Sequence, residues 1–149
     1  MPTFCDTSFL CALYRRQSNT DRAVAMASEA RLLRCTNLVY FEFSHAVRFE
    51  VFRHKQDHTK GYGELEGMSV LSQFELGIES GTIEVVPIDF AVMLGRAILL
   101  SENHTIRLGV RAFDLLHVAA AVSVGATRFL TFDTAQRNLA EAEGLEVPA

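Results

Sequence analysis

The chain has 149 residues, 49% of them hydrophobic and 21% charged, with a formal net charge of −4. This is ordinary globular composition at a length one domain with a sizeable core can fill, which excludes a disordered or low-complexity chain. The charge argues against a broadly basic nucleic-acid binder, although twelve of the 14 basic residues are arginine, the better bidentate phosphate partner.

From the N-terminus, Thr3–Cys5 reads as a short buried strand. Asp6-Thr7-Ser8 then supplies N-cap chemistry for a helix through about Arg16. Asn19-Thr20-Asp21 starts a second helix to about Arg31, and Leu33–Thr36 is a strand. A long helix follows from about Val39 to His58, broken by Gly61 and Gly63, and the next runs from Glu64 to about Glu79. Thr82–Pro87 is a β-branched strand, followed by helices over about Phe90–Glu102 and Ala112–Val124. Arg128–Thr131 is the last strand and Thr134–Glu143 the last helix. Strands alternating with helices predict an α/β fold over residues 1–149, a short parallel sheet flanked by helices on both faces.

Cys5, Cys11 and Cys35 are odd in number and form no Cys-x-x-Cys pair, which predicts neither disulfides nor a zinc knuckle. Their use points to a reducing compartment, the cytoplasm. Asp6 stands where the apolar core of a signal peptide would lie, and the longest apolar tracts are interrupted by Asp89, Arg96, Asp114, His117 and Arg128. Neither a leader nor a membrane span is expected.

Four acids carry most of the chemistry. Asp6 ends Thr3-Phe4-Cys5, Glu42 interrupts Tyr40-Phe41-Glu42-Phe43, Asp114 interrupts Phe113-Asp114-Leu115-Leu116, and Asp133 ends Leu130-Thr131-Phe132. An ionised carboxylate in an apolar setting must be paired, hydrogen-bonded or metal-bound, or its pKa rises. In an open parallel sheet, ligands bind beyond the carboxyl ends of the strands, where Asp6 and Asp133 fall. A sheet edge can therefore collect all four acids around a hard cation such as Mg2+, and such a site suits metal-assisted phosphodiester chemistry.

Plainer readings stand beside each. Asp6 and Asp133 could be helix caps, and Glu42 could belong to a buried ion pair. Arg111, one turn before Asp114, could neutralise it and is expected to do so structurally. Glu42-x-x-His45 and Asp114-x-x-His117 have the spacing of di-iron bundles, but the other two acids follow strands, so His117 is expected to be a hydrogen-bonded core residue. His54 and His58 lack the Glu of a His-Glu-x-x-His helix and read as a solvated face. Phosphate-binding glycine loops and a Gly-x-Ser-x-Gly elbow are absent from the sequence.

The pattern resembles the PIN-domain family. The matching segments are Phe4-Cys5-Asp6-Thr7-Ser8, Glu42, Arg111-Ala112-Phe113-Asp114-Leu115-Leu116-His117-Val118-Ala119 and Phe129-Leu130-Thr131-Phe132-Asp133. The likeness runs from residue 3 to about 147. The segment Arg-x-x-Asp-x-x-His-x-Ala is its most specific part, and Pro2-Thr3-Phe4-Cys5 is less aliphatic than the usual first strand. The compact form looks like the VapC-type toxins of toxin–antitoxin pairs. That resemblance implies a Mg2+- or Mn2+-dependent endoribonuclease, a homodimer and a small antitoxin. It implies catalytic and metal-binding roles for Asp6, Glu42, Asp114 and Asp133, supported by Ser8, Thr131 and Arg111. Arg15, Arg16, Arg48 and Arg53 are the expected RNA contacts. Two alternatives stay open: an inactive PIN-like binding module, and a metal-dependent hydrolase of small phosphoesters. Phe9, Leu10, Leu13, Tyr14, Val24, Met26 and Leu32 exceed what one small core can bury, which predicts that the first helices carry the partner surface.

Overall fold

The computed structural model describes residues 1–148. In chain order the elements are β1 (Thr3–Cys5), α1 (Thr7–Tyr14), α2 (Thr20–Ala30), β2 (Leu33–Thr36), α3 (Asn37–Gln56) and α4 (Glu64–Glu79). Then come β3 (Ile83–Val86), α5 (Phe90–Leu100), a π-helical stretch Ser101–Thr105, α6 (Ile106–Leu108), α7 (Ala112–Ser123), β4 (Arg128–Leu130) and α8 (Thr134–Ala142). The four strands form one sheet in the order β3-β2-β1-β4, every pair parallel. The fold is the expected α/β arrangement.

The sheet divides two cores, and strand alternation assigns each residue to one of them. Cys5, Leu33, Cys35 and Leu130 point to a core with α1 to α4, centred on Phe9, Phe43 and Phe74. Phe4 and Phe129 point the other way, to Met93, Leu100, Val118 and Leu139 of α5, α7 and α8. Burial on both faces is why β1 reads as a short run without charge. All three thiols are free, and burial pushes Cys11 up to about 11 and Cys35 to about 12, so they serve as small apolar groups.

Two helix ends differ from expectation for local reasons. Arg15 is already extended, its N–H bonded to Cys11 O, so α1 stops at Tyr14 rather than Arg16. Helix α3 stops at Gln56, before His58, and the chain reverses through Gly61 at φ +58°. A Cβ at Gly61 would collide with the Glu50 carbonyl, so only glycine closes that turn. The helix expected to end near Glu102 instead continues through the π-helical stretch into α6. It stops at Gly109, which is left-handed at φ +64°. His104 Nε2 bonds Glu143 Oε1 at 2.7 Å and holds that stretch against the end of α8.

The predicted partner surface on the first helices is not there. Phe9, Leu10 and Met26 are buried, Leu13 and Tyr14 pack against the core, and of that set only Val24 is well exposed. The exposed apolar side chains lie instead mostly on α3 and α4 (Phe41, Phe49, Phe52, Leu65, Met68, Leu76) and along α5 to α7 (Phe90, Leu94, Ile98, Ile106, Phe113). Amphipathic spacing had no means of showing that the first core would be large enough to absorb α1. No helix among the described residues is long and apolar enough to cross a membrane.

Candidate active site

Parallel pairing builds the first half of the site. β1 and β4 align Cys5 with Leu130, so the residues that follow, Asp6 and Thr131, emerge side by side at the carboxyl edge. Asp6 is fully buried and caps α1, its Oδ1 accepting Phe9 N–H at 2.9 Å. Thr131 Oγ1 donates to Asp6 Oδ2 at 2.6 Å, and Ser8 Oγ lies 2.7 and 2.9 Å from the two carboxylate oxygens. Both hydroxyls are themselves fixed by backbone donors. Phe132 N–H donates to Ser8 Oγ at 2.9 Å, and Asp133 N–H donates to Thr131 Oγ1 at 3.0 Å. Burial pushes the Asp6 carboxyl up to about 6, against the opposing hydrogen bonds of Thr131, Phe9 and Ser8 and the nearby His117 charge.

Glu42 reaches the site from the second turn of α3, which Thr36 starts by accepting Val39 N–H. Its partner is not His45 on its own helix but His117 on α7, with Nε2 at 2.8 Å from Glu42 Oε2. Burial alone would raise the Glu42 carboxyl. The His117 hydrogen bond, the neighbouring Thr7 hydroxyl and the His117 charge outweigh it and hold the group below the usual carboxylate range. Thr7 Oγ1 makes no well-formed hydrogen bond, so His117 is the main cause. His45 is exposed and stacks between Phe41 and Phe49.

Asp114 and Asp133 form the second half. Asp114 sits in the first turn of α7 and Asp133 caps α8, its Oδ1 accepting Gln136 N–H at 2.8 Å. Gln136, not singled out by the sequence, is buried and donates from Nε2 to Asp114 Oδ1 at 3.3 Å. Asp114 Oδ2 is buried with no hydrogen-bond partner.

Arg111 departs from its expected role. Its Nε lies 3.7 Å from Asp114 Oδ2, beyond hydrogen-bond reach, and its side chain is 87% exposed. A loose, solvated pair of this kind contributes about 0–1 kcal/mol. Arg111→Ala should therefore lower stability by less than about 1 kcal/mol in chemical denaturation. A larger loss would restore the structural ion pair.

Of the four expected RNA contacts, none hydrogen-bonds or ion-pairs with the four acids among the described residues. Glu50 takes two of them, Arg15 at 3.6 Å and Arg53 at 2.7 Å. Arg48 donates to Ser44 O, and Arg16 is exposed.

Among the described residues, no three His, Cys, Asp or Glu side chains gather closely enough to cage an ion by themselves. The donor set still suits a hard divalent cation: carboxylate oxygens, one of them buried and orphaned, with no thiolate among them.

Comparison with known proteins leads to the same region of fold space. A family model described as PIN domain matches residues 3–142. No curated protein matches. Solved structures do. FitAcB from Neisseria gonorrhoeae shares 16% identity at a TM-score of 0.69, covering 99% of this chain and 96% of that one. VapC20 from Mycobacterium tuberculosis, described as a sarcin-ricin loop cleaving toxin, shares 17% at 0.66, covering 99% of each. VapBC2 from Rickettsia felis, bound to a DNA fragment from the promoter, shares 12% at 0.64, covering 99% and 98%. At these identities the likeness is one of fold.

Proposed function

The chain belongs to the PIN-domain family, and from that premise we propose that it is a metal-dependent endoribonuclease, the toxin of a toxin–antitoxin pair. The observation that carries this reading is Asp114 Oδ2, a buried carboxylate oxygen with no hydrogen-bond partner, linked through Gln136, Asp133 and Thr131 to the fully buried Asp6. Buried anionic oxygens without donors are costly, and a cation relieves that cost. The toxin role draws on neighbours that include a sarcin-ricin loop cleaving toxin and a member of the VapBC family of toxin–antitoxin systems.

Asp6, Asp114 and Asp133 would hold Mg2+ or Mn2+, with Glu42 joining directly or through water. A divalent ion in such a site supplies a bound water of lowered pKa and neutralises charge at the phosphodiester. The chain's own part is positional. Ser8 and Thr131 clamp both oxygens of Asp6. His117 fixes Glu42 and favours its ionised form. Phe113 packs edge-on against the His117 ring, centroids 5.2 Å apart, and covers the pair. RNA phosphates would meet Arg16 and Arg48 more readily than Arg15 and Arg53, because Glu50 competes for the latter two.

Cleavage of a structured RNA in the presence of Mg2+ or Mn2+, lost with chelator, tests the activity. Hydrolysis of p-nitrophenyl phosphate without RNA cleavage would favour a small-phosphoester hydrolase. Inactivity on both would favour a binding module.

Metal should also act on the fold. An ion bound only by the native state stabilises it by about 2.7 kcal/mol at a hundred times its dissociation constant. The melting temperature should therefore rise with Mn2+ in the wild type and much less in Asp114→Asn. Equal responses in the two proteins would remove Asp114 from the site.

The exposed side chains of α5 to α7 are proposed as a homodimer surface, which leaves the α3–α4 side for a small antitoxin. A dimer mass in light scattering, halved by Ile98→Glu, is expected, because Ile98 is 60% exposed and outside the core. A wild-type monomer at high concentration would end this part of the reading.

A further inference from the structure

Gln136 joins the two acids that otherwise share no contact. Its backbone N–H is bound by Asp133 Oδ1 at 2.8 Å, and its side-chain amide reaches from α8 to Asp114 Oδ1 on α7 at 3.3 Å. The side chain is buried, with 4% of the residue exposed. The amide orientation follows from chemistry: a carboxylate can only accept, so Nε2 must face it. Gln136 Oε1 is then left buried without a donor, and so is Asp114 Oδ2. Two buried acceptors without hydrogen-bond donors meet at this junction, and the nearby cation, Arg111 Nε, stands 3.7 Å from Asp114 Oδ2 with its side chain largely in solvent.

We infer that Gln136 is a positioning residue for the divalent cation, holding Asp114 Oδ1 so that Oδ2 stays free to bind metal. The inference rests on the metal site proposed above. An amide suits this task because it is neutral. A lysine or arginine at 136 would fix Asp114 equally well but would cancel the charge that attracts the ion. Asp133 completes the device by fixing the first turn of α8, and with it the root of the Gln136 side chain.

The test is calorimetric titration of Mn2+ into wild type, Gln136→Leu, Asp114→Asn and the double variant, each checked by circular dichroism. Loss of a side chain that orients a metal ligand weakens affinity by roughly 10–100-fold. Gln136→Leu should weaken Mn2+ binding at least about tenfold, and it should add nothing in the Asp114→Asn background, because its effect passes through that carboxylate. Unchanged Mn2+ affinity in Gln136→Leu, even with a lowered melting temperature, overturns the inference and leaves Gln136 a packing residue. Additive losses in the double variant overturn it as well. Should the leucine variant not fold, Gln136→Met, similar in shape and without a donor, is read against the same two outcomes. Failure of the wild type to bind Mn2+ strikes the metal site itself, a result distinct from either.

Discussion

Asp6→Asn, Asp114→Asn and Glu42→Gln should each reduce RNA cleavage by roughly a thousandfold or more, equivalent to about 4 kcal/mol of lost transition-state stabilisation. Each change removes one negative charge and keeps the side-chain shape. The fold should survive because the neighbours adapt. In Asp6→Asn the Ser8 and Thr131 hydroxyls can rotate to accept from the new amide, and Phe9 N–H still finds an oxygen. In Glu42→Gln the side chain can still meet His117 through its carbonyl or its amide, since the imidazole offers either tautomer. Gel assays at saturating Mg2+, alongside melting curves, measure both quantities. Two folded variants that cleave like the wild type would remove the carboxylates from the mechanism.

The second large effect is on stability against pH in metal-free protein. The Asp6 carboxyl sits at about 6 in the fold, compared with an ordinary value of 3.8. The folded state therefore holds this proton more tightly than the unfolded chain. The resulting stabilisation is fully present below pH 3.8 and is lost as pH rises through about 6. At about 1.4 kcal/mol per pH unit, the swing is roughly 3 kcal/mol. Asp6→Asn does not titrate, so the variant should gain roughly 3 kcal/mol relative to wild type between about pH 4 and pH 7. Subtracting the two unfolding free energies cancels the titrating groups that are not coupled to Asp6. A flat difference across that range would show that the buried carboxyl is not perturbed. Mn2+ at neutral pH should shrink the advantage, because the ion stabilises only the charged form.

Much of the fold was legible because single residues forced it. Phe4-Cys5 of β1 and Phe129-Leu130 of β4 are apolar pairs that alternate between two buried faces, and Gly61 marks a turn no other residue closes. Asp6 was legible for the same reason, an acid abutting a buried strand. What escaped depends on which elements meet. His117 was expected to be a hydrogen-bonded core residue and is, but its partner, Glu42, lies 75 residues away and no local spacing named it. Gln136 gave no signal, since a glutamine in the first turn of an amphipathic helix is commonplace until α7 is placed against it. Arg111 misled in the opposite direction: one helical turn allows an ion pair, but its position at the start of α7 leaves the guanidinium in solvent.

The pairing of β1 with β4 also orders events in time. Asp6 is made early, yet its clamp needs Thr131, which lies 125 residues further along the chain. Ser8 is fixed by Phe132, 124 residues on. At about 5–20 residues per second, the ribosome makes the acid roughly 6–25 seconds before the residues that orient it. Until then Asp6 belongs to an edge strand with no β4 beside it. Under the proposed nuclease activity, such a delay would leave a chain still being translated without an assembled catalytic centre.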